Sequence, residues 1–198
     1  MPPRYHTGPI SDHFDGVRFF DPHGASPKSR RDLLRWFVDR RRRGIKAKWP
    51  IWAPSPYADR PPARVEGAIW RISYIGHASF LIQTAGCNIL LDPVWSKRAS
   101  PSRLIGPKRV NEPGIAFTEL PPIDVVLVSH GHYDHLDVRT LSRIATVHRA
   151  RVITPLGNDV VMRNFDSTIA AEAYDWGDRV DIGNGMAVTL WWTHLFCR

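Results

Sequence analysis

The sequence is poor in cysteine and contains no long apolar run. Its two cysteines, Cys87 and Cys197, cannot build a disulfide framework, and no CxxC motif is present. This cysteine usage is typical of a reducing compartment, by default the cytoplasm. No run approaches the roughly 18–20 apolar residues of a membrane-spanning helix, and no apolar stretch follows the first residues as in a signal peptide. The sequence therefore predicts neither a disulfide-rich secreted domain nor an integral membrane protein.

Acidic residues are outnumbered, but only in one segment. The chain has 27 Lys and Arg against 19 Asp and Glu, a net charge of +8. Residues 28–48 hold ten Lys or Arg and two Asp, so this segment carries the whole excess. Such a segment either binds an anionic lipid surface or is the solvated face of a basic helix, and both interpretations stay open. We expect no nucleic-acid partner, and we expect any membrane association to be peripheral.

The pattern divides the chain into an N-terminal region, residues 1–67, and a folded domain, residues 68–198. Residues 1–27 form an irregular arm, which ends in the helix-start signal Ser26-Pro27. A basic helix with one apolar stripe is predicted over 29–43. Five prolines between residues 49 and 64 exclude a helix or a central strand there and predict an extended wrap.

Within the folded domain, the pattern predicts an α/β protein. Residues 68–75, 80–83 and 88–92 read as a β-meander. An apolar run over 124–129, a helix over 136–147 and a strand over 151–154 form a βαβ unit. A short helix over 158–165 and strands over 175–180 and 186–192 complete the prediction.

The sequence that follows the buried strand is rich in metal ligands. His130, His132, Asp134 and His135 lie within six positions. Neutral imidazole and carboxylate groups suit zinc and similar divalent ions. On a tight loop, His130 and His132 can share one ion, and the next two residues can reach a second one. An accidental polar loop is the less favoured interpretation.

This loop resembles the HxHxDH motif of the metallo-β-lactamase superfamily. Five further blocks resemble N-acylphosphatidylethanolamine-hydrolysing phospholipase D and its bacterial relatives. They are GHASFL (76–81), LDPVWS (91–96), ASPS (99–102), GPKR (106–109) and ELPPID (119–124).

The resemblance implies an αββα sandwich with two zinc ions at one edge. It also implies hydrolysis of a phospholipid or another phosphodiester by a metal-bound hydroxide. It assigns His130, His132 and His194 to one zinc, and Asp134 and His135 to the other. Asp134 is also the residue to which we assign a catalytic role.

Several residues near these motifs have two interpretations each. Asp92 either orients a ligand histidine or is a simple turn residue, and His77 either lines the pocket or is a core histidine. Asp137 either bonds to a ligand histidine or caps the next helix. Lys108 and Arg109 either meet a substrate phosphate or lie on a solvated loop.

The family continues past the point where this chain stops, at Arg198. In the family, the later part supplies a bridging aspartate and a last histidine for the second ion. The expected structure is therefore the N-terminal half of the sandwich plus the start of the second half, with an incomplete set of zinc ligands. A frameshifted or truncated reading frame is one hypothesis for this ending. The alternative to a hydrolase is a truncated, non-catalytic fragment with at most weak metal or anionic-lipid binding.

Overall fold

The computed structural model describes residues 5–22, 24, 29–44, 50–56 and 58–191. Within this part of the chain the helices are α1 (Arg30–Arg42), α2 (Val138–His148) and α3 (Asn158–Phe165). The strands are β1 (Arg71–Gly76), β2 (Ser79–Thr84), β3 (Cys87–Leu91), β4 (Val125–Leu127), β5 (Arg151–Pro155), β6 (Ala171–Tyr174), β7 (Arg179–Gly183) and β8 (Met186–Thr189). None of the described helices is both long and apolar enough to cross a bilayer.

Strands β1 to β6 form one mixed sheet in the order of the sequence. The first three strands are an antiparallel meander, and β3, β4, β5 and β6 are parallel neighbours. Helix α2 connects β4 to β5, and helix α3 connects β5 to β6. Parallel neighbours require crossover connections of this kind. The antiparallel strands β1 to β3 confirm the predicted meander, and the β4–α2–β5 crossover confirms the predicted βαβ unit.

The side chains of the central strands alternate between two apolar layers. In β4, Val126 packs in the cluster that contains α2 and α3, whereas Val125 packs on the opposite face. In β5, Val152 and Ile153 divide in the same way. Successive residues of a strand point to opposite faces, so an unbroken apolar run indicates a strand that is covered on both faces.

Helices pack on one face of the sheet, and a β-hairpin packs on the other. Leu141 and Ile144 of α2 and Met162 of α3 are buried against one face. On the other face, the β7–β8 hairpin buries Val180 against the strands, with Ile182 and other hairpin residues packed around it. The structure is a mixed α/β fold with a central sheet, and this confirms the predicted fold class.

The strand predicted over 175–180 is wrong in its first half. Asp175 begins a turn, in which its backbone N–H donates to Oδ2 of Asp178 at 2.8 Å, and Gly177 has a φ of +88°. Strand β7 starts only at Arg179, and strand β6 lies before the turn, over Ala171–Tyr174, where no strand was predicted. The sequence Asp-Trp-Gly-Asp contains turn residues, and their chemistry outweighs the apolar residues on either side.

The described parts of the proline-rich segment, residues 50–56 and 58–64, contain no helix or strand, and ion pairs fix the second part to the sheet. Arg64 pairs with Asp124 through both guanidinium Nη atoms, and Asp59 pairs with Arg71 at 2.8 Å. Asn88 of β3 donates to the carbonyl of Ala63 at 2.9 Å. The bond from Asn88 gives a backbone carbonyl of the segment the partner that it would otherwise find in a helix or strand.

The basic helix predicted over 29–43 is confirmed as α1. It begins with a capping box, in which the Asp32 N–H donates to Ser29 Oγ at 3.3 Å and the Ser29 N–H donates to Asp32 Oδ2 at 2.8 Å. The start signal predicted at Ser26-Pro27 lies outside the described residues. Arg40, Arg41 and Arg42 occupy the last turn, where cations complement the helix dipole.

Candidate metal centre

The carboxyl ends of three strands meet at one edge of the sheet. Strands β1 and β3 are both antiparallel to β2, and β4 is parallel to β3, so β1, β3 and β4 point in the same direction. His77 and Asp92 directly follow β1 and β3, and Ser129 lies two residues after the end of β4. Sheet topology therefore brings three distant parts of the sequence together where α/β proteins commonly bind their ligands.

A tight turn shapes the loop between β4 and α2. The backbone N–H groups of His135 and Leu136 both donate to the carbonyl of His132, at 2.9 and 2.7 Å. Asp137 then caps α2 by accepting from the N–H of Thr140 at 3.3 Å, and it also accepts from two backbone N–H groups of the loop after β3. Of the two roles left open for Asp137, the structure shows the helix cap.

His130 and His132 form the first donor pair. Nε2 of His130 lies 3.0 Å from Nδ1 of His132, and the ring centroids are 4.7 Å apart. Two nitrogen ligands of a tetrahedral zinc ion, at about 2.0–2.1 Å each, are separated by roughly 3.3 Å. The spacing of these two nitrogens thus fits two ligands of one ion.

A second donor group lies beside this pair. His77, Asp134 and His135 offer one ligand atom each, and these three atoms lie within 4.8 Å of one another. Nε2 of His77 is 3.1 Å from Oδ2 of Asp134. The ring of His130 stacks at an angle on that of His135, with 4.0 Å between centroids, so the two groups adjoin. Imidazole and carboxylate donors of this kind suit zinc and other first-row divalent metals.

Asp92 connects the two donor groups through hydrogen bonds on the buried side of the site. Its buried carboxylate accepts from the N–H and hydroxyl of Ser129, at 2.7 and 2.6 Å, and from Nδ1 of His135 at 2.7 Å. Asp92 and His77 both have a positive φ, +41° and +52°. Non-glycine residues in this region carry backbone strain, which occurs often at functional sites.

The hydrogen bonds of Ser129 and Asp92 determine which ring nitrogens are free to bind a metal. Ser129 has one hydroxyl proton, which it gives to Asp92, so Nδ1 of His130 supplies the proton of the 2.9 Å bond to the Ser129 oxygen. Nδ1 of His135 likewise donates to Asp92. We infer this tautomer from the partners: Nε2 of both histidines keeps its lone pair, as a metal ligand requires.

Local electrostatics favours the protonation states that bind metal. Burial lowers the pKa of His130, and the neighbouring His135 and His132 lower it further, so its ring stays neutral. Burial alone would raise the pKa of Asp134, but its own backbone N–H and the nearby His135 and His77 outweigh this and lower that pKa. A neutral imidazole and an ionised carboxylate are the forms that coordinate metal ions.

The structure brings together the predicted residues that it describes. The four motif residues and Asp92 lie at one sheet edge, whereas His194 lies outside the described residues. His77, interpreted from the sequence as a pocket or core residue, is exposed and adjoins Asp134. Ser129 received no role from the sequence, although its place directly before the first motif histidine is a signal that could have identified it.

Lys108 and Arg109 differ in their environment. Arg109 is half-buried, its Nη2 donates to the carbonyl of Val94 at 2.7 Å, and burial lowers its pKa. It therefore supports the loop that follows β3. Lys108 is exposed on the same long loop, and a contact between Lys108 and a substrate phosphate stays a prediction.

Comparison with known proteins identifies relatives over much of the chain. A family profile described as "Beta-lactamase superfamily domain" matches residues 87–195. A protein of Mycobacterium bovis is 38% identical over 113 residues, which are 57% of this chain and 30% of that protein. N-acyl-phosphatidylethanolamine-hydrolyzing phospholipase D 1 of Caenorhabditis elegans is 34% identical over 125 residues, 60% of this chain and 35% of that enzyme. A UPF0173 metal-dependent hydrolase of Opitutus terrae is 30% identical over 63% of this chain and 44% of its own length.

Among solved structures, CmlA of Streptomyces venezuelae, described as a diiron beta-hydroxylase, aligns with a TM-score of 0.40 and 26% identity, over 59% of this chain and 23% of CmlA. The match to the first curated relatives spans about a third of their length. The profile match, by contrast, covers more than half of this chain and confirms the resemblance predicted from the HxHxDH motif. The chain belongs to the metallo-β-lactamase superfamily.

Proposed function

We propose that this protein is a metal-dependent hydrolase of phosphodiesters, with zinc as its metal and phospholipids as its substrate class. The observation that carries the proposal is the meeting of two donor groups, His130 with His132 and His77 with Asp134 and His135, at one sheet edge. The relatives support it, since one is named a metal-dependent hydrolase and another a phospholipase D.

In the proposed enzyme the donors divide between two ions. His130 and His132 hold one ion, and the resemblance adds His194 as a third ligand. Asp134 and His135 hold the other, and the neighbouring His77 is placed to join them. A bound divalent ion supplies Lewis acidity and makes water a nucleophile near neutral pH. The proposed reaction therefore needs no serine or cysteine nucleophile.

Ser129 and Asp92 orient the ligands, and Asp134 has a second role. Ser129 and Asp92 hold the rings of His130 and His135, so that Nε2 of each ring is free to bind a metal. Asp134 is the proposed catalytic residue: its lowered pKa keeps the carboxylate ionised, and its half-exposed position leaves it in contact with water at the centre. A phospholipid substrate also places the enzyme at a membrane surface, as a peripheral protein of the cytoplasm.

Metal analysis together with a turnover assay tests this proposal. The protein is loaded with zinc, dialysed, and assayed for bound metal and for hydrolysis of bis(p-nitrophenyl) phosphate and of phosphatidylethanolamine vesicles. We expect His132→Ala to lower zinc affinity by at least about 100-fold, since loss of an outer-shell partner alone costs 10–100-fold, and to abolish turnover.

His148→Asn is the matched control. His148 ends α2, which starts at the metal loop and runs back to the opposite edge of the sheet, so zinc affinity and turnover should not change. Equal losses in the two variants would contradict the assigned site. Zinc binding by the unmodified protein without turnover of either substrate would refute the hydrolase and support a non-catalytic metal-binding protein.

A further inference from the structure

Helix α1 exposes most of its apolar side chains. Leu34 is 66% exposed, Phe37 57% and Trp36 50%, and Leu33 and Val38 are also exposed. Bulky residues of this kind are normally buried when a helix packs on its own domain. An uncovered apolar stripe on a helix therefore marks a surface that binds something else.

The charges of α1 are arranged around this stripe. At 100° per residue, the five apolar positions span an arc of about 200°. Arg40 and Arg41 fall inside this arc, whereas Asp32 and Asp39 lie together on the opposite side of the helix. The apolar side thus carries positive charge only, and the negative charges of the helix point away from it.

We propose that the apolar side of α1 docks on an anionic membrane surface, with the helix lying in the plane of the interface. A short helix with aromatic and aliphatic residues on one side and many arginines is typical of interfacial membrane binding. The guanidinium of Arg40 lies 5.2 Å from the ring centroid of Trp36. An arginine next to an interfacial tryptophan is placed to contact lipid phosphates while the ring enters the headgroup region.

Charge complementarity favours a lipid surface over other occupants. A second copy of the chain on this side would bring Arg40 and Arg41 of both copies together, and such like charges repel. A nucleic acid would use the arginines but would leave Leu34 and Phe37 exposed to water. An anionic bilayer satisfies both features, because it offers negative headgroups above an apolar interior. The inference does not depend on the proposed hydrolase activity.

Vesicle sedimentation of the full chain tests the inference. The vesicles contain phosphatidylcholine with or without about 30% phosphatidylserine, which gives a negative charge similar to that of the cytoplasmic leaflet. We expect binding only with phosphatidylserine, and weaker binding as salt rises. Each arginine near the surface contributes about a fivefold gain in partitioning, so Arg40→Gln with Arg41→Gln should lower binding roughly 25-fold.

Arg35→Gln with Arg42→Gln is the matched control, because it removes the same charge from the other side of the helix. These positions lie farther from the membrane by about the helix diameter of 10 Å, near one Debye length, so binding should fall only about fourfold. Leu34→Gln with Phe37→Gln leaves the charge unchanged and should also abolish most binding.

Three results would overturn the inference. They are equal losses for the two arginine pairs, unchanged binding after Leu34→Gln with Phe37→Gln, and a concentration-dependent dimer that those apolar substitutions dissociate. Circular dichroism of each variant confirms that the helix persists, since glutamine is a good helix former. The assay involves no turnover, so its failure leaves the proposed metal site untouched, and failure of the metal site leaves this inference untouched.

Discussion

Replacing Asp92 by asparagine tests whether the buried carboxylate controls the metal ligands. The carboxylate accepts from Ser129 twice and from Nδ1 of His135, all within 2.7 Å. Asparagine keeps the shape and tolerates the positive φ of this position, but it replaces one acceptor oxygen by an NH2 group. If this NH2 group faces His135, the imidazole must turn its lone pair toward it, and Nε2 then carries the proton.

The expected losses follow from this change of tautomer. A hydrogen bond to a charged group contributes about 1.5–3 kcal/mol, so Asp92→Asn should lower the free energy of unfolding by about 3 kcal/mol. Loss of a carboxylate that orients a metal-binding histidine should lower zinc affinity about 10–100-fold. Urea unfolding in the presence of a chelator measures the first loss, and competition with a chromophoric zinc chelator measures the second.

Asp124→Asn provides the comparison that makes the result specific. Asp124 is also a carboxylate at the end of a sheet strand, but it lies at the amino end of β4, where it accepts from Arg64 and from the N–H of Asn88 at 2.8 Å. This variant should lose stability and keep its zinc affinity. The reasoning is refuted if Asp92→Asn binds zinc within twofold of the unmodified protein, or if both variants lose the same affinity.

Three further predictions concern the site, the wrap and the core. Ser129→Ala removes the acceptor for Nδ1 of His130 and should lower zinc affinity about tenfold by chelator competition, whereas Ser129→Thr should not. Arg71 lowers the pKa of Asp59 to about 2, so this pair stabilises the fold above pH 3.8 and its contribution, about 1 kcal/mol after screening, is lost as the pH falls toward 2. Between pH 5 and pH 2, urea unfolding should show a loss of stability that is larger by this amount in the unmodified protein than in Asp59→Asn, since other carboxylates such as Glu172 lose stabilisation in both. Leu90→Ala should cost about 2–5 kcal/mol in urea unfolding, because the side chain is fully buried.

The fold was most predictable where burial alone determines the pattern. Strand β4 is covered on both faces, so Val125, Val126 and Leu127 form an apolar run that is typical of a buried strand. Strand β6 was missed because Ala171-Glu172-Ala173-Tyr174 is short and weakly apolar. Its partner β5 holds it, and Arg151 pairs with Glu172 across the two strands. Such a long-range pairing leaves no mark in the local sequence.

The candidate site divides in the same way between local and long-range information. The spacing of His130, His132, Asp134 and His135 is local, so the sequence was sufficient to place them on one loop. The position of His77 depends on the direction of β1 relative to β4, which follows from three successive strand pairings. The role of Ser129 depends on a tautomer, and that requires interatomic distances.

The candidate centre has a buried base and a solvent-exposed rim. This difference in exposure suits the residues of the base and those of the rim to different roles. The base consists of Asp92 and His130, both buried, and the hydrogen bonds of Ser129 fix their orientation before any ligand binds. At the rim, the side chains of His77 and Asp134 are 58% and 45% exposed and are fixed by fewer contacts. Because ordering a mobile side chain costs conformational entropy, the base is better organised to hold a metal. The rim keeps contact with water and is the side from which a substrate can enter.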